Sequence, residues 1–419
     1  MASTILATQS LQNGLAVTAR CEDALRKLVD YCRASGWAGY DPYDALNSRL
    51  FGILSFLDAR LPRLALTQAL KRSPVNVRRL LLVERAQNPK AIGLFLSAFV
   101  RLSGFNIVET EDPARLMIER LIALRSKGTK YWCWGYSFPW QMRQCIVPRW
   151  APNLVCTTFV ANALLDAYES SHDPQCLEMA SSAAEYILTD LYWARGSTVA
   201  GFSYPRPDDR LQVYNANFLA AALLCRVFHH TGEKRFLSPA LAAARYSAAM
   251  QFPDGSWTYG EMPSQHWIDN FHTGFNLCAL RSIGRYAGTT EFEPCLRRGL
   301  DFYRLHFLRE DGAVRYFHNR TYPIDIHCVA QAIITLVELE ELDSSCMDLA
   351  RSVFQWAMCH MWDEQGFFYY RVLRYCTNRI SYIRWSQAWM LLAMATLLSK
   401  SGEPASLLQL FQTTASIEV

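Results

Sequence analysis

The sequence lacks the short motifs that mark the commonest nucleotide and hydrolase sites. It contains no G-x-x-x-x-G-K-[ST], no G-x-G-x-x-G and no G-x-S-x-G. These motifs wrap backbone amides around phosphates or hold a serine on a sharp turn, so their absence argues against a P-loop, dinucleotide or serine-hydrolase site. A strong net charge is also missing. With +4 at pH 7 and a pI of about 8.4, the chain gives no indication of nucleic-acid binding.

Paired cysteines and long apolar runs are absent as well. The 13 cysteines include no C-x-x-C pair, which favours reduced thiols in the core over a disulfide framework. Apolar stretches such as 388–398 are too short to span a bilayer. The first ten residues, M-A-S-T-I-L-A-T-Q-S, lack the basic start and apolar run of a signal peptide. We therefore expect a cytoplasmic protein without a transmembrane segment.

A phrase with an acidic residue, a glycine and aromatic residues occurs three times in the second half of the chain. It reads Q-F-P-D-G-S-W-T-Y-G at 251–260, L-R-E-D-G-A-V-R-Y-F at 308–317 and M-W-D-E-Q-G-F-F-Y-Y at 361–370. Aspartate followed by glycine indicates a turn, and the residues after the glycine alternate as in a short strand. Each phrase follows one helical pattern and precedes another.

Helical patterns occur in pairs, and the second member of each pair is the more uniformly apolar. Such second helices are expected to begin near residues 153, 215, 270, 325 and 386, a period of roughly 55–62 residues. A helix that is apolar all round is buried, whereas a striped one faces water. The pattern therefore predicts two concentric layers of six or seven helical hairpins closed into an all-α ring, an α/α toroid, with an open solenoid as the alternative.

We expect a single domain over residues 1–419. In the N-terminal part, 15–103, the patterns predict two hairpins, 17–33 with 44–57 and 64–83 with 91–101. Regular hairpins follow over 104–400, and 401–419 forms a C-terminal tail. Whether the N-terminal hairpins complete a seventh unit or only brace the ring stays open at this stage.

The inner helices should all begin at one mouth of the ring, and the residues there are polar. The catalytic candidates are His272, Asp269, His327, Asp325 and Tyr214, because imidazole groups near carboxylates suit proton transfer near neutral pH. The residues predicted to bind substrate are Asn153, Asn215, Asn217, Trp257, Tyr259, Glu261, Trp267, Asn270, Arg384, Trp385 and Gln387. For each of Asn153, Asn215 and Asp325 taken alone, simple helix capping is the favoured interpretation.

The same mouth favours an anionic group of the ligand. Helix N-termini carry partial positive charge, and Arg384, with Arg143 as a further candidate, would add to it. Asp269, His272, His327 and Cys328 would supply four zinc-type ligands if they met, but their spacing matches no zinc pattern. No metal and no other cofactor is predicted.

The alternating hairpins and the D-G-S-W turn resemble the α/α-toroid superfamily, which includes six-hairpin glycosidases, uronate lyases and epimerases, and terpenoid cyclases with prenyltransferases. Together with G-Y-D-P-Y-D-A-L-N-S at 39–48 and W-I-D-N-F-H-T-G-F at 267–275, they look most like toroid proteins of bacterial polysaccharide biosynthesis. This resemblance covers about residues 15–400. It implies an enzyme acting on a glycan or glycosyl intermediate, with uronate-containing glycans among the candidates, by elimination, epimerisation or hydrolysis.

Two alternatives stay open. Q-F-P-D-G-S-W is similar to a repeat of terpene cyclases, and D-N-F-H-T at 269–273 is similar to a prenyltransferase stretch in which His272 would bind zinc. However, D-D-x-x-D is absent, and His327 and Cys328 stand where a cyclase would carry aspartates. An isoprenoid enzyme predicts a deep, dry cavity through the ring. The second alternative is a glycan-binding or scaffold protein without catalysis, which predicts a shallow mouth.

Within the glycan interpretation, hydrolysis would need two opposed carboxylates, for which Asp269, Asp325 and Glu261 are candidates.

Overall fold

The chain forms two layers of helices, one inside the other. The computed structural model describes residues 2–53, 59–107, 112–141 and 146–401. The outer helices are α1 (Ala2–Ala34), α5 (Pro113–Ala123), α7 (Pro174–Tyr186), α9 (Leu237–Ala249), α11 (Glu293–Phe307) and α13 (Ser345–His360). The inner helices are α4 (Pro89–Arg101), α6 (Leu154–Ser171), α8 (Tyr214–Thr231), α10 (Asn270–Ala287), α12 (Ile326–Glu338) and α14 (Ala388–Lys400).

The inner helices close into a ring of six. Each packs against the next in chain order, and α14 packs against α4. The outer helices pack on the inner ones, and α5, α7 and α13 each contact two neighbouring inner helices. α1 lies against α14 and α13 at the point of closure. The hairpin repeat and the closed ring are thus confirmed, and the described residues form six units rather than seven.

Shorter elements connect the helices at the two mouths. The link between α1 and α4 contains a 3-10 turn (Asp44–Asn47), α2 (Leu50–Ile53) and α3 (Arg60–Arg72). A second 3-10 turn covers Pro263–Gln265, and π-helical turns cover Ile187–Leu191 and Ile383–Gln387. The strands are β1 (Trp140–Gln141), β2 (Ile146–Val147), β3 (Tyr192–Arg195), β4 (Val199–Phe202), β5 (Ile324–Asp325), β6 (Trp362–Asp363), β7 (Phe367–Phe368), β8 (Arg371–Val372) and β9 (Thr377–Asn378). They pair as β1–β2, β3–β4, β6–β7 and β5–β8–β9, all antiparallel.

Local sequence determines where the inner helices begin. The side chains of Asn153, Asp269 and Asp325 each accept a hydrogen bond from a backbone N–H in the first turn of α6, α10 and α12. This satisfies amide groups that have no partner inside the helix. The predicted starts lie within two residues of the observed ones. Beyond the caps, α14 buries eleven of its 13 residues, on all sides of the helix, as expected for an inner helix.

The repeated glycine phrase connects each outer helix to its neighbour. Gly255, Gly312 and Gly366 all have positive φ angles, between 84° and 91°. A Cβ atom on each would collide with a backbone carbonyl of the next outer helix, namely those of Arg298, Ser352 and Lys27. Since Lys27 belongs to α1, the third turn joins the last outer helix to the first. The predicted strand occurs at Phe367–Phe368, whereas the other two phrases form only isolated bridges.

The prediction for the N-terminal part is wrong in one respect. Residues 44–57 were expected to form an inner helix and 64–83 an outer one, but the described part of this segment holds only short turns and α3. In chain order the first outer helix is therefore α1 and the first inner helix is α4, with a long link between them. None of the helices in the described ranges is long and apolar enough to cross a membrane. The predicted tail lies outside the described residues from 402 onward. Arg143 lies outside them as well, between 141 and 146.

Candidate active site

A cavity of about 760 Å³ opens where α8 and α10 begin. Eight aromatic side chains from the link, the loops and α10 line it: Tyr43, Trp140, Tyr204, Tyr259, Trp267, Phe271, Tyr316 and Phe317. Asp269 and His272 also line it. Flat aromatic faces beside a few polar groups are typical of small-molecule sites and suit the apolar faces of sugar rings.

Asp269 and His272 form a hydrogen-bonded dyad at the start of α10. The imidazole Nδ1 lies 2.8 Å from Oδ2 and 3.0 Å from Oδ1 of the carboxylate. The indole of Trp267 donates to Oδ2 at 3.0 Å, and the backbone N–H of His272 donates to Oδ1. Because an ionised carboxylate only accepts, it selects the tautomer with the proton on Nδ1. The basic nitrogen is then Nε2, which has no protein partner among the described residues.

Tyr259 and Trp267 stand beside this dyad. Their rings stack with centroids 4.6 Å apart and planes 14° apart, and Tyr259 also meets the His272 ring edge-on at 4.6 Å. Burial, followed by the neighbouring Tyr204 and Asp269, raises the pKa of Tyr259 well above its usual value. The phenol therefore stays protonated. It can donate or accept a hydrogen bond, but it does not act as a base. The structure thus brings together four of the predicted residues.

His327 lies one helix further round the ring, sealed from the cavity. Phe271 and Trp389 stack on its imidazole, with centroids 4.6 and 4.4 Å away, and Trp385 contacts it edge-on at 4.6 Å. Neither ring nitrogen has a hydrogen-bond partner among the described residues. Burial, with Lys90 and Arg384 nearby, holds the pKa of His327 well below its usual value. In this arrangement its imidazole is neutral and cannot reach a ligand in the cavity.

Asp325 is occupied in the same way. Its carboxylate accepts from Arg371 Nε at 2.5 Å, from Trp385 Nε1 at 2.9 Å and from the backbone N–H of His327. The residue is fully buried. The prediction of Asp325 as an acid in the site therefore needs correction, because its oxygens and charge are taken up by protein groups. Trp385 donates a hydrogen bond to Asp325 and also packs edge-on against the His327 ring.

Arg384 does not offer a free charge to a ligand. Its Nε and Nη2 form a two-pronged ion pair with Asp41, at 2.5 and 2.8 Å. Asp41 belongs to a buried network in which Arg78 pairs with Asp44. This network anchors the 39–48 segment to the ring, so we reassign Arg384 from substrate binding to holding the link in place.

Several other predicted binding residues have structural partners instead. The Asn217 side chain accepts from Phe202 N and donates to Gln212 and Ser247. The Gln387 side chain is bonded to both backbone groups of Phe368. Both residues thus fix a strand beside an inner helix. The indole of Trp257 donates to the Ser247 carbonyl and packs on Phe218.

The remaining candidates lie outside the main cavity. Tyr214 is buried and does not line the cavity, and burial, followed by Glu261 and Tyr246, raises its pKa to about 12. Glu261 is exposed and does not line the cavity. Asn153 is a cap, and Asn270 accepts from the Tyr303 hydroxyl. Asn215 lies behind the dyad, with its carbonyl oxygen unpartnered among the described groups.

Three lysine and arginine residues near the site were not predicted. Lys71 and Arg320 line the cavity. Lys90, at the start of α4, is buried with its ammonium nitrogen 3.9 Å from the Phe159 ring centre and 5.1 Å from that of Trp389. Burial first, and then Arg384, lowers the pKa of Lys90 well below its usual value. A lysine next to the helix start P-K-A-I-G-L was the only signal in the sequence.

The zinc set considered from the sequence does not assemble. Within the described ranges, no three His, Cys, Asp or Glu side chains are grouped to hold a metal ion. Cys328 is fully buried, and burial followed by Asp325 raises its pKa well above the usual value, so the thiolate that zinc needs is disfavoured. The ring centre is filled by Lys90 and its aromatic neighbours from three other inner helices, which argues against the deep cavity of the isoprenoid alternative.

Comparison with known proteins identifies the fold. No protein-family model and no curated protein sequence matches the chain. An unsaturated glucuronyl hydrolase variant with the glycan dGlcA-Glc-Rha-Glc superposes with a TM-score of 0.60 at 14% identity, covering 89% of this chain and 94% of its own. A GH76 α-mannanase from Bacteroides thetaiotaomicron gives 0.58 at 11% identity, covering 75% and 86%. Cellobiose 2-epimerase from Spirochaeta thermophila gives 0.56 at 15%, also covering 75% and 86%.

These neighbours are all α/α toroids of the six-hairpin glycosidase superfamily. At such low identities the likeness shows the fold alone. What this chain does must therefore be argued from the side chains of its own cavity.

Proposed function

We propose that the chain is a carbohydrate-active enzyme in which His272 transfers a proton on the substrate. The observation that carries this proposal is the Asp269–His272 dyad, whose basic Nε2 has no protein partner in the described structure and whose ring lines an aromatic-walled cavity. The structural neighbours add support, since they are named as an epimerase, a mannanase and a glucuronyl hydrolase. Aromatic walls beside one general base suit a sugar better than a hydrocarbon.

The carboxylates of the cavity already have partners in the protein, and this favours proton removal from carbon over hydrolysis. Hydrolysis by the usual route needs two carboxyl groups on opposite sides of the bond. The carboxylates on the described cavity wall are Asp209 and Asp269. Asp209 is held by Arg206 through two hydrogen bonds of 3.1 and 3.0 Å, and Asp269 is held by His272 and Trp267. The dyad, by contrast, is arranged as a single base with its counterion.

The proposed step begins with a sugar carbon next to a carbonyl or carboxylate group. Nε2 of His272 removes the proton from that carbon, and the Asp269 carboxylate stabilises the imidazolium that forms. The protonated Tyr259 phenol is placed to donate to a sugar oxygen. Delivery of a proton from water to the opposite face of that carbon gives an epimer, and the imidazolium returns its proton to the solvent. Cleavage of the C–O bond at the next carbon, with the departing oxygen taking up a proton from the imidazolium or from water, gives an unsaturated sugar instead. The first route is epimerisation and the second is elimination.

Proton exchange with heavy water tests this step directly. Reducing disaccharides, one neutral and one with a terminal uronate, are incubated with the enzyme in D₂O and followed by NMR. We expect deuterium at the carbon next to the carbonyl or carboxylate, and a fall of about 10²- to 10⁴-fold in the exchange rate of His272→Gln. His266→Gln is the matched control, because His266 is exposed on the loop before α10 and does not line the cavity.

Three results would contradict the proposal. Exchange at the wild-type rate in His272→Gln would remove the base from its role. Release of new reducing ends without deuterium uptake would replace the mechanism by hydrolysis. Binding of the sugars without any reaction would favour the non-catalytic alternative.

A further inference from the structure

The charges around the cavity are unequally matched. Two carboxylates and two cationic side chains lie on its described wall, apart from the dyad histidine. Both carboxylates, Asp209 and Asp269, already have partners in the protein. Neither Lys71 nor Arg320 has a carboxylate partner among the described residues. The unmatched charge facing the cavity is therefore positive.

Lys71 comes from the link that separates α1 from α4. It lies in the last turn of α3, half-buried, and its Nζ donates to the Tyr43 hydroxyl at 2.6 Å. The same nitrogen lies 4.3 Å from the centre of the Tyr43 ring. This contact uses one of the three ammonium protons and fixes the head group at the cavity wall. The other two protons are available to a ligand.

Arg320 comes from the loop between α11 and α12, and its guanidinium lies 4.3 Å from the centre of the Phe317 ring. Phe317 itself lines the cavity. Stacking of a guanidinium on an aromatic face limits its freedom without neutralising it, and leaves its N–H groups at the edge for an acceptor. Two cations are thus held on aromatic supports, 249 residues apart in sequence, at one cavity.

We propose that Lys71 and Arg320 form a subsite for an anionic group on the substrate, either the carboxylate of a uronic acid or a sugar phosphate. The inference rests on the proposed function, because it assumes that the remainder of the substrate is a sugar held by the aromatic walls. An oxyanion would receive charge-assisted hydrogen bonds from both side chains. It would also complete the charge balance of the cavity.

Binding measurements with matched sugars test the subsite. Calorimetry compares a disaccharide ending in glucuronate, the same disaccharide ending in glucose, its glucose 6-phosphate counterpart, and inorganic phosphate alone. We expect one of the acidic sugars to bind about tenfold more tightly than the neutral one. Raising the salt from about 0.05 to 0.5 M should weaken only the acidic sugar, because screening acts on the charge.

The variants Lys71→Met and Arg320→Gln should each remove most of that preference and leave the affinity for the neutral disaccharide unchanged. Arg72→Gln is the matched control, because it removes a positive charge from the adjacent exposed position of α3, outside the cavity. A preference for the uronate identifies the anion as a carboxylate, and a preference for the phosphorylated sugar identifies it as a phosphate; both support the subsite.

Two outcomes separate the failure of this inference from that of the proposed function. Equal binding of acidic and neutral sugars, with His272-dependent proton exchange intact, overturns the subsite and keeps the function. Binding of inorganic phosphate that depends on Lys71 and Arg320, without binding or exchange of any sugar, keeps the anion site and overturns the glycan function.

Discussion

Two Asp–His pairs begin neighbouring inner helices, and they have opposite surroundings. On α10, Asp269 holds the imidazole of His272 at the edge of an open cavity. On α12, Asp325 turns its side chain away to Arg371 and Trp385, and His327 is left in an aromatic box without a hydrogen bond on either nitrogen within the described structure. Similar residues at equivalent repeat positions thus give one candidate base and one buried, neutral ring.

The spacing within each pair explains the difference. Both aspartates are N-caps, but His272 is the third residue of its helix and His327 the second of its own. Successive helical side chains are rotated by about 100°. The imidazole at the third position lies over the capping carboxylate, whereas the one at the second position points into the ring. One residue of spacing therefore decides whether the carboxylate can act on the histidine.

The largest expected effect separates the two aspartates. Asp325→Asn keeps the cap but leaves the mostly buried Arg371 without its counterion, so we expect a loss of about 3–5 kcal/mol in the free energy of unfolding. Asp269→Asn also keeps the cap and should cost about 1 kcal/mol or less. Its effect should appear in proton exchange, which slows because the imidazolium loses its negative partner. Urea unfolding and the D₂O assay measure the two quantities; equal loss of stability in both variants would contradict the comparison.

A smaller effect, of opposite sign, is expected at Lys90. Its ammonium group is buried at a helix N-terminus without a carboxylate partner in the described residues, an unfavourable place for a cation. We expect Lys90→Met to raise the free energy of unfolding at about pH 7 by roughly 1 kcal/mol or more, after the loss of its contact with the Phe159 ring.

The dependence on pH distinguishes this effect from better packing alone. Because the folded pKa of Lys90 is lowered, the wild type loses stability as the pH falls from about 10.5 towards the folded pKa, and the methionine variant does not. The gain of Lys90→Met should thus be smaller at about pH 9.5 than at pH 7. Lys127→Met, at an exposed loop position, should show no such trend.

The smallest effect concerns His327 and the loss of folding stability at acidic pH. The folded pKa of His327 is lowered, chiefly by burial, so its contribution to stability is present above about pH 6.5 and is lost as the pH falls below that value. One such group costs at most about 1.4 kcal/mol per pH unit. His327→Phe keeps the aromatic box and should flatten the decline between about pH 6.5 and 5.5. An unchanged slope would show that the ring takes up a proton in the folded state.

Local patterns were sufficient to predict the ring but not its N-terminal part. The inner helices from α6 onward are largely apolar, and three of them, α6, α10 and α12, begin at Asn or Asp caps. Both features depend on neighbouring residues only. The 44–57 stretch is also apolar, yet its described part, residues 44–53, forms only a 3-10 turn and the short α2, directly after a segment that the Asp41–Arg384 pair anchors to the ring. Contacts between residues so far apart in sequence leave no local trace.

The residues of the candidate site differ in the same way, because some depend on local sequence and others on distant contacts. Asp269 and His272 were predictable because a cap and a third-position histidine interact within one helical turn. The sealing of His327 depends on Trp385 and Trp389 from another helix, and the pairing of Arg384 depends on the distant link. Lys71 and Arg320 follow no repeat position. They line the same cavity only because α3 of the link lies beside the loop between α11 and α12.

Closure of the ring through Gly366 and α1 also limits the order in which the helices can pack during synthesis of the chain. A ribosome releases α1 first, but the surface it must cover, on α13 and α14, is made last. Five of the six seams between inner helices can form in the order of synthesis, while the sixth waits for the whole ring to emerge. Until then, the apolar sides of α1 and α4 have no neighbour from the far end of the chain. The ring can therefore close only after the final inner helix has been synthesised.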